Sequence, residues 1–198
     1  MSQLPKLVVI TDWALAEPVL FARLGAALAA APFIAVQHRN PGATARVFFE
    51  QGQRLKALCD RFEAPLFVSA RLDVALSLDA HLHLPGWGLH PRDVRAQLPA
   101  GRWLCVAVHD EEEAARARGV ADLALVSPVF QTASHPQAQP LGVAGFARLA
   151  QAAGCPSYAL GGVTAASLGG LSDAAGAAVI SAVLHAKDPA AAARAFAR

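Results

Sequence analysis

Eight short apolar runs recur along this chain, each closed by polar or turn residues and followed by a segment with helical spacing. They lie at 7–10, 33–36, 66–68, 80–84, 103–108, 123–126, 157–160 and 177–180. Most are apolar throughout instead of alternating, which marks strands covered on both faces, as in parallel sheets. Eight strand–helix units in strict alternation predict an α/β fold, a compact (β/α)8 TIM barrel. The competing open, doubly wound sheet would carry a Gly-rich turn after its first strand, and Thr11-Asp12-Trp13 is no such turn. At 198 residues the chain sits near the lower limit of about 200 for a barrel, so a single domain over 1–198 with short loops is expected.

The connecting segments read as helices with identifiable ends. Segment 17–30 repeats Leu20, Leu24, Ala27 and Leu28, and segment 44–62 repeats Val47, Phe48, Leu55, Leu58 and Phe62. Shorter helices are expected at 71–78 and 91–98. Asp110 is placed to cap helix 111–118, with Glu113 as its capping-box partner. Gly154 should stop helix 143–153, Thr164 should cap the next, and Asp188-Pro189 should open the last.

Composition narrows the partners. With 55% hydrophobic and 16% charged residues the chain is set to fold. Its net charge is +2 and no Lys or Arg run is present, so no nucleic-acid partner is expected. No stretch is long enough to span a membrane, and the N-terminus lacks a signal core. Cys59, Cys105 and Cys155 are few, spread out and odd in number, as buried reduced thiols of a cytoplasmic protein would be.

In a barrel the chemistry sits at the C-terminal ends of the strands. Those ends carry Thr11 and Asp12, Gln37 and Arg39, Ser69, His83, His109, then Ser127, Thr132, Ser134 and His135, then Gly161 and Gly162, and finally Ile180 and Ser181. Period two sets Gln37 and Arg39 on one face and His38 on the other. His38 should pack under the helices or meet a polar group there. A Gly pair at a strand end lets a backbone approach an anion closely. Alone it equally describes a tight turn. Together with Ser181 and the hydroxyls of Thr132 and Ser134 it favours a phosphate site.

The order and spacing of several short motifs resemble the superfamily of thiamine-phosphate synthases and thiazole tautomerases. These motifs are Val9-Ile10-Thr11-Asp12, Val36-Gln37-His38-Arg39, His83-Leu84, Val108-His109, Ser127-Pro128-Val129-Phe130 with Thr132, and Ala159-Leu160-Gly161-Gly162-Val163. The resemblance implies a phosphorylated heterocycle as ligand. In the synthases it implies magnesium and basic groups that hold a departing diphosphate while a thiazole nitrogen attacks the pyrimidine. Gln37 and Arg39 match the residues that contact the pyrimidine substrate. Pro41 replaces a Lys, Ser69-Ala70 replaces Asn-Asp, and Gly88 stands near the place of a second Asp. Ala107 replaces a Ser, His135 a Lys, and Pro128 the His of the tautomerases.

Both magnesium carboxylates are thus missing while the thiazole-phosphate side is retained. The expectation is a thiazole-phosphate-binding, tautomerase-like enzyme that needs no metal or other cofactor. Arg39 would bind the substrate carboxylate, and His83, His109 or His135 would move the proton. Gln37, Ser69, Thr132, Ser134, Gly161, Gly162, Ile180 and Ser181 would bind the remainder. A divergent synthase using magnesium is the alternative, and a barrel that binds a phosphometabolite without turnover is a third reading. His81, His83 and His109 could also form a three-His metal site. Trp87 can serve as a lid, a stacking ring or a contact in a homo-oligomer.

Overall fold

The computed structural model describes residues 3–132 and 137–196. Its eight strands are β1 Leu7–Ile10, β2 Ile34–His38, β3 Leu66–Ser69, β4 His81–Leu84, β5 Leu104–Val108, β6 Leu123–Val126, β7 Ser157–Leu160 and β8 Ala174–Val179. They hydrogen-bond in chain order as a closed barrel. The helices are α1 Glu17–Ala30, α2 Ala45–Arg61, α3 Leu72–Ser77, α4 Pro91–Arg95, α5 Glu111–Ala117, α6 Gly142–Ala153, α7 Ala165–Leu168, α8 Ser181–Leu184 and α9 Pro189–Phe196. The (β/α)8 barrel expected from the sequence is the fold observed. Among the described residues no helix is long and apolar enough to cross a membrane.

Contacts divide the chain into two compact units, Met1–Leu82 with Val179–Arg198, and His83–Ala178. In the first, β1, β2 and β3 pair parallel, with Leu7 opposite Ile34 and Val36 opposite Leu66. Leu20, Leu24 and Ala27 of α1 are fully buried, as their helical spacing requires. Arg23 fastens α1 to the carbonyl of Ala186 at 2.8 Å. Thr44 caps α2 by accepting from the Val47 N–H.

In the second unit β5, β6 and β7 pair parallel, with Cys105 opposite Leu123 and Ala124 opposite Ser157. Phe146, Leu149 and Tyr158 fill its core. Complete burial of such a side chain contributes about 1.5–3 kcal/mol. Gly154 ends α6 in the left-handed conformation, at φ 64°. Thr164 and Ser167 form a full capping box on α7.

Several expectations are corrected. Phe33, read as a strand residue, is 45% exposed with φ 62°, and β2 starts at Ile34. The helix expected over 91–98 ends at Arg95. The last strand begins at Ala174 and stops at Val179. Ile180 is therefore the N-cap of α8 and Ser181 its first residue, the two residues directly past the end of β8.

Candidate active site

The end of β2 is built on the two faces of its strand. His38 turns toward α2, where its Nε2–H donates to the Phe48 carbonyl at 2.9 Å and its ring stacks on Phe48 at 3.9 Å. A carbonyl only accepts, so the ring proton sits on Nε2. Nδ1 is buried with no partner among the described residues. Burial lowers the His38 pKa to about 4, and only partly does the Phe48 hydrogen bond raise it back. The ring is neutral near pH 7 and structural, as the sequence implied. Alternation then sets Gln37, 1% exposed, on the opposite face.

Arg39 leaves the strand exposed. Its backbone N–H donates to the Thr11 hydroxyl at 3.0 Å. Its guanidinium makes no hydrogen bond or ion pair among the described residues, so it can meet an anion. Ser69 closes β3 and is buried, and Ala70 follows with φ 65°. Sequence reasoning missed one pair in this unit. His185, just past α8, bonds through Nε2 to Oδ2 of Asp12 at 2.8 Å. Asp12 Oδ1 meanwhile accepts from the Ala14 N–H. No local signal marks His185, because α8 is too short to show a period.

The second unit contributes the ends of β4 to β7. His83, next to last in β4, is buried. At the end of β5, His109 is 48% exposed and its Nδ1 lies 2.7 Å from Glu113 Oε2. Glu113 does not complete the expected capping box: its carboxylate accepts the N–H of His109 at 2.7 Å instead of that of Asp110. The Asp110 cap itself is present, accepting from the Glu113 N–H at 2.9 Å.

Beyond β6, the segment 128–131 is held by backbone hydrogen bonds on two sides. Val129 and Phe130 donate to the carbonyls of Leu160 and Gly161, both at 2.9 Å. Pro128 and Val129 accept from Leu141 and Gly142. Gly161 and Gly162 have φ 90° and 64°. A Cβ on Gly161 would lie 2.9 Å from the Pro128 Cα, and one on Gly162 the same distance from the Phe130 Cβ. The Gly pair thus makes room first for the chain's own loop. Thr132 is half-buried at the far end of that loop. Ser134 and His135 lie outside the described residues.

Residues 7–183 match the family model described as thiamine monophosphate synthase, TMP-TENI. The chain belongs to this family. A thiamine-phosphate synthase of Roseiflexus castenholzii is 38% identical over 82% of this chain and 73% of its own length. One from Clostridium perfringens is 31% identical, with 91% and 88% covered. Among solved structures, a thiamine phosphate pyrophosphorylase of Pyrococcus furiosus superposes with a TM-score of 0.83 at 30% identity, covering 96% of this chain and 93% of that one. A 3-hexulose-6-phosphate synthase, at 19% identity and TM-score 0.73, shares the fold.

Membership of the thiamine monophosphate synthase family makes the chain thiamine-phosphate-synthase-like and assigns it to thiamine biosynthesis. These relatives are named synthases, so the synthase reading takes precedence over the tautomerase reading favoured from sequence. The magnesium implied by the synthase resemblance does not fit the residues present. Magnesium wants carboxylate oxygens, whereas β3 ends in Ser69-Ala70, and Asp93 is an exposed residue in the first turn of α4. Among the described residues no three His, Cys, Asp or Glu side chains are grouped to hold a metal ion. His81, His83 and His109 are therefore not a three-His centre. His81 lies against the Phe67 ring at 5.1 Å instead.

Proposed function

We propose that this chain joins a pyrimidine diphosphate to a thiazole phosphate, as a transferase of the thiamine-phosphate synthase type. The observation that carries the reading is the unbroken match to synthases from β1 to α8. The bond between the pyrimidine methylene and the diphosphate oxygen breaks, and its electron pair leaves with pyrophosphate. The thiazole nitrogen lone pair forms the new carbon–nitrogen bond.

Each unit offers groups suited to one part of that task. Gln37 presents an amide to the pyrimidine edge. Arg39 offers its unengaged guanidinium to the diphosphate, and Ser69 adds a hydroxyl. In the other unit Thr132, with the backbone N–H groups at Gly161 and Gly162, suits a phosphate. Ser134 belongs to the same proposed set. Ile180 and Ser181 offer a backbone N–H and a hydroxyl to an anion of the same class. No step is assigned to magnesium.

The test is incubation of the purified chain with both substrates, with and without added magnesium. Thiamine phosphate is measured by chromatography and pyrophosphate by a coupled assay. Equal yields of the two, lost in Arg39→Ala, support the transferase. No product under either condition rules it out.

A second reading is favoured by the His109–Glu113 pair and by the absent carboxylates at β3. It is metal-independent proton transfer on a thiazole carboxylate phosphate, with Arg39 on the carboxylate and His83, His109 or His135 as the base. Loss of the substrate's acidic proton to deuterated water, followed by NMR, supports this reading. Tight binding with no turnover in either assay leaves a binding protein.

A further inference from the structure

Glu113 engages His109, one of the histidines proposed above as a base. Its Oε2 accepts from both the backbone N–H and Nδ1 of His109, each at 2.7 Å. A carboxylate has no proton to give at neutral pH, so the imidazole must be the donor. That places a ring proton on Nδ1, and in the neutral ring it leaves a bare lone pair on Nε2. Left to itself in water, a neutral imidazole side chain favours the opposite tautomer.

The surroundings hold this arrangement. The Glu113 side chain is only 14% exposed, against 48% for His109. Its backbone is fixed by Asp110 at the start of α5. On the β4 loop, Gly86 is needed to leave space, because a Cβ there would run into the Glu113 carboxylate. The carboxylate is thus flanked by His109 and by the Gly86 backbone, while His109 stays half exposed at the end of β5. Nε2 itself makes no hydrogen bond among the described residues.

We propose that Glu113 is a positioning residue that sets the tautomer of His109 and presents Nε2 as a proton acceptor at the end of β5. A ligand X–H bond would give its proton to the Nε2 lone pair, with the bonding electrons staying on the ligand. The positive charge formed on the ring is met by the Glu113 carboxylate. Return of the proton to another ligand atom restores the neutral ring. The use of this acceptor on a thiazole phosphate rests on the proton-transfer reading above. The tautomer does not.

The experiment is multiple-bond proton–nitrogen NMR on the full chain with nitrogen-15 histidine, at pH 8 and without ligand. His109→Gln assigns the resonances. The wild-type ring is expected to show a protonated Nδ1 and a bare Nε2. Glu113→Gln, whose amide oxygen still accepts, keeps that pattern, and Glu113→Ala loses it. Asp110→Ala removes the helix cap but not the carboxylate, and it too should keep the pattern. A wild-type proton on Nε2, an unchanged ring in Glu113→Ala, or an equal change in Asp110→Ala overturns the proposal. Thiazole phosphate proton exchange should slow at least tenfold in both His109→Gln and Glu113→Ala. No exchange in a wild type with the expected tautomer supports the role of Glu113 and removes the proton-transfer reading instead.

Discussion

The Thr11 hydroxyl clamps the backbone of Arg39, accepting from its N–H at 3.0 Å and donating to its carbonyl at 3.1 Å. The same oxygen accepts from the Trp13 indole N–H at 3.0 Å. The residue that offers a free cation is therefore held by its main chain and left loose at its side chain. This division suits a group that must find an anion without dragging its strand.

Thr11→Val keeps the shape and removes all three hydrogen bonds. Thr11 is 4% exposed, so the Arg39 and Trp13 donors lose a partner in a buried place. The expected loss is about 1–3 kcal/mol, read as a lower urea midpoint. Thr11→Ser should retain most of the stability. If Val and Ser behave alike, the hydroxyl is not the clamp.

The Gly pair allows backbone conformation to be separated from crowding. Gly119 has φ 71° with nothing near a would-be Cβ. Gly119→Ala should cost about 1 kcal/mol, from the left-handed conformation alone. Gly162→Ala meets both that strain and the Phe130 Cβ, so its loss should be at least twice as large. Chemical denaturation of the two variants side by side decides it, and equal losses would mean that the 128–131 loop yields freely.

Much of this was legible in the sequence, for reasons that differ by element. The runs at β1, β6 and β7 are apolar and sharply closed, so their limits match those read from composition. The last strand began three residues earlier than expected, because Ala174-Ala175-Gly176 has little intrinsic strand preference and is recruited by pairing with β7. Phe33 is a good strand former, yet its left-handed backbone makes the turn into β2. The spacing of His109 and Glu113 is the i, i+4 pattern of facing helix residues, but a capping box uses the same glutamate. The Asp12–His185 pair joins residues 173 apart, and no local pattern reports such a contact.

Buried His38 makes stability depend on acid. Its folded pKa is lowered to about 4 from 6.5, so above 6.5 neither state takes up a proton there. As pH falls from 6.5 toward 4 the unfolded chain gains that proton and the folded chain does not, and stability drops. The slope is ~1.4 kcal/mol per pH unit, for a total of about 3 kcal/mol across the window. His38→Gln can still donate to Phe48 and cannot titrate. Its urea midpoint should decline less steeply over this range than that of the wild type. Parallel slopes would show that His38 protonates in the folded state.

The three thiols differ in how burial protects them. All are free; Cys59 and Cys105 are buried, and Cys155 is half-buried. Burial raises the Cys155 pKa to about 11, with the Asp122 charge adding to it. Burial raises Cys59 to about 12, and Cys105 is pushed up as well. At pH 8 a thiol of pKa 11 is ionised about one part in a thousand, and the thiolate is the reactive form. Iodoacetamide should therefore alkylate the native chain slowly, at Cys155 first, and all three thiols quickly in urea. Asp122 is held by Arg95 at 2.8 Å and by the Leu104 N–H at 2.7 Å, which keeps its charge in place. Asp122→Asn removes that charge and should speed Cys155 alkylation while leaving Cys59 unchanged. Mass spectrometry of timed samples reads both sites in one run. A Cys59 rate that rises in step with Cys155 would point to loosened packing instead of a lost charge.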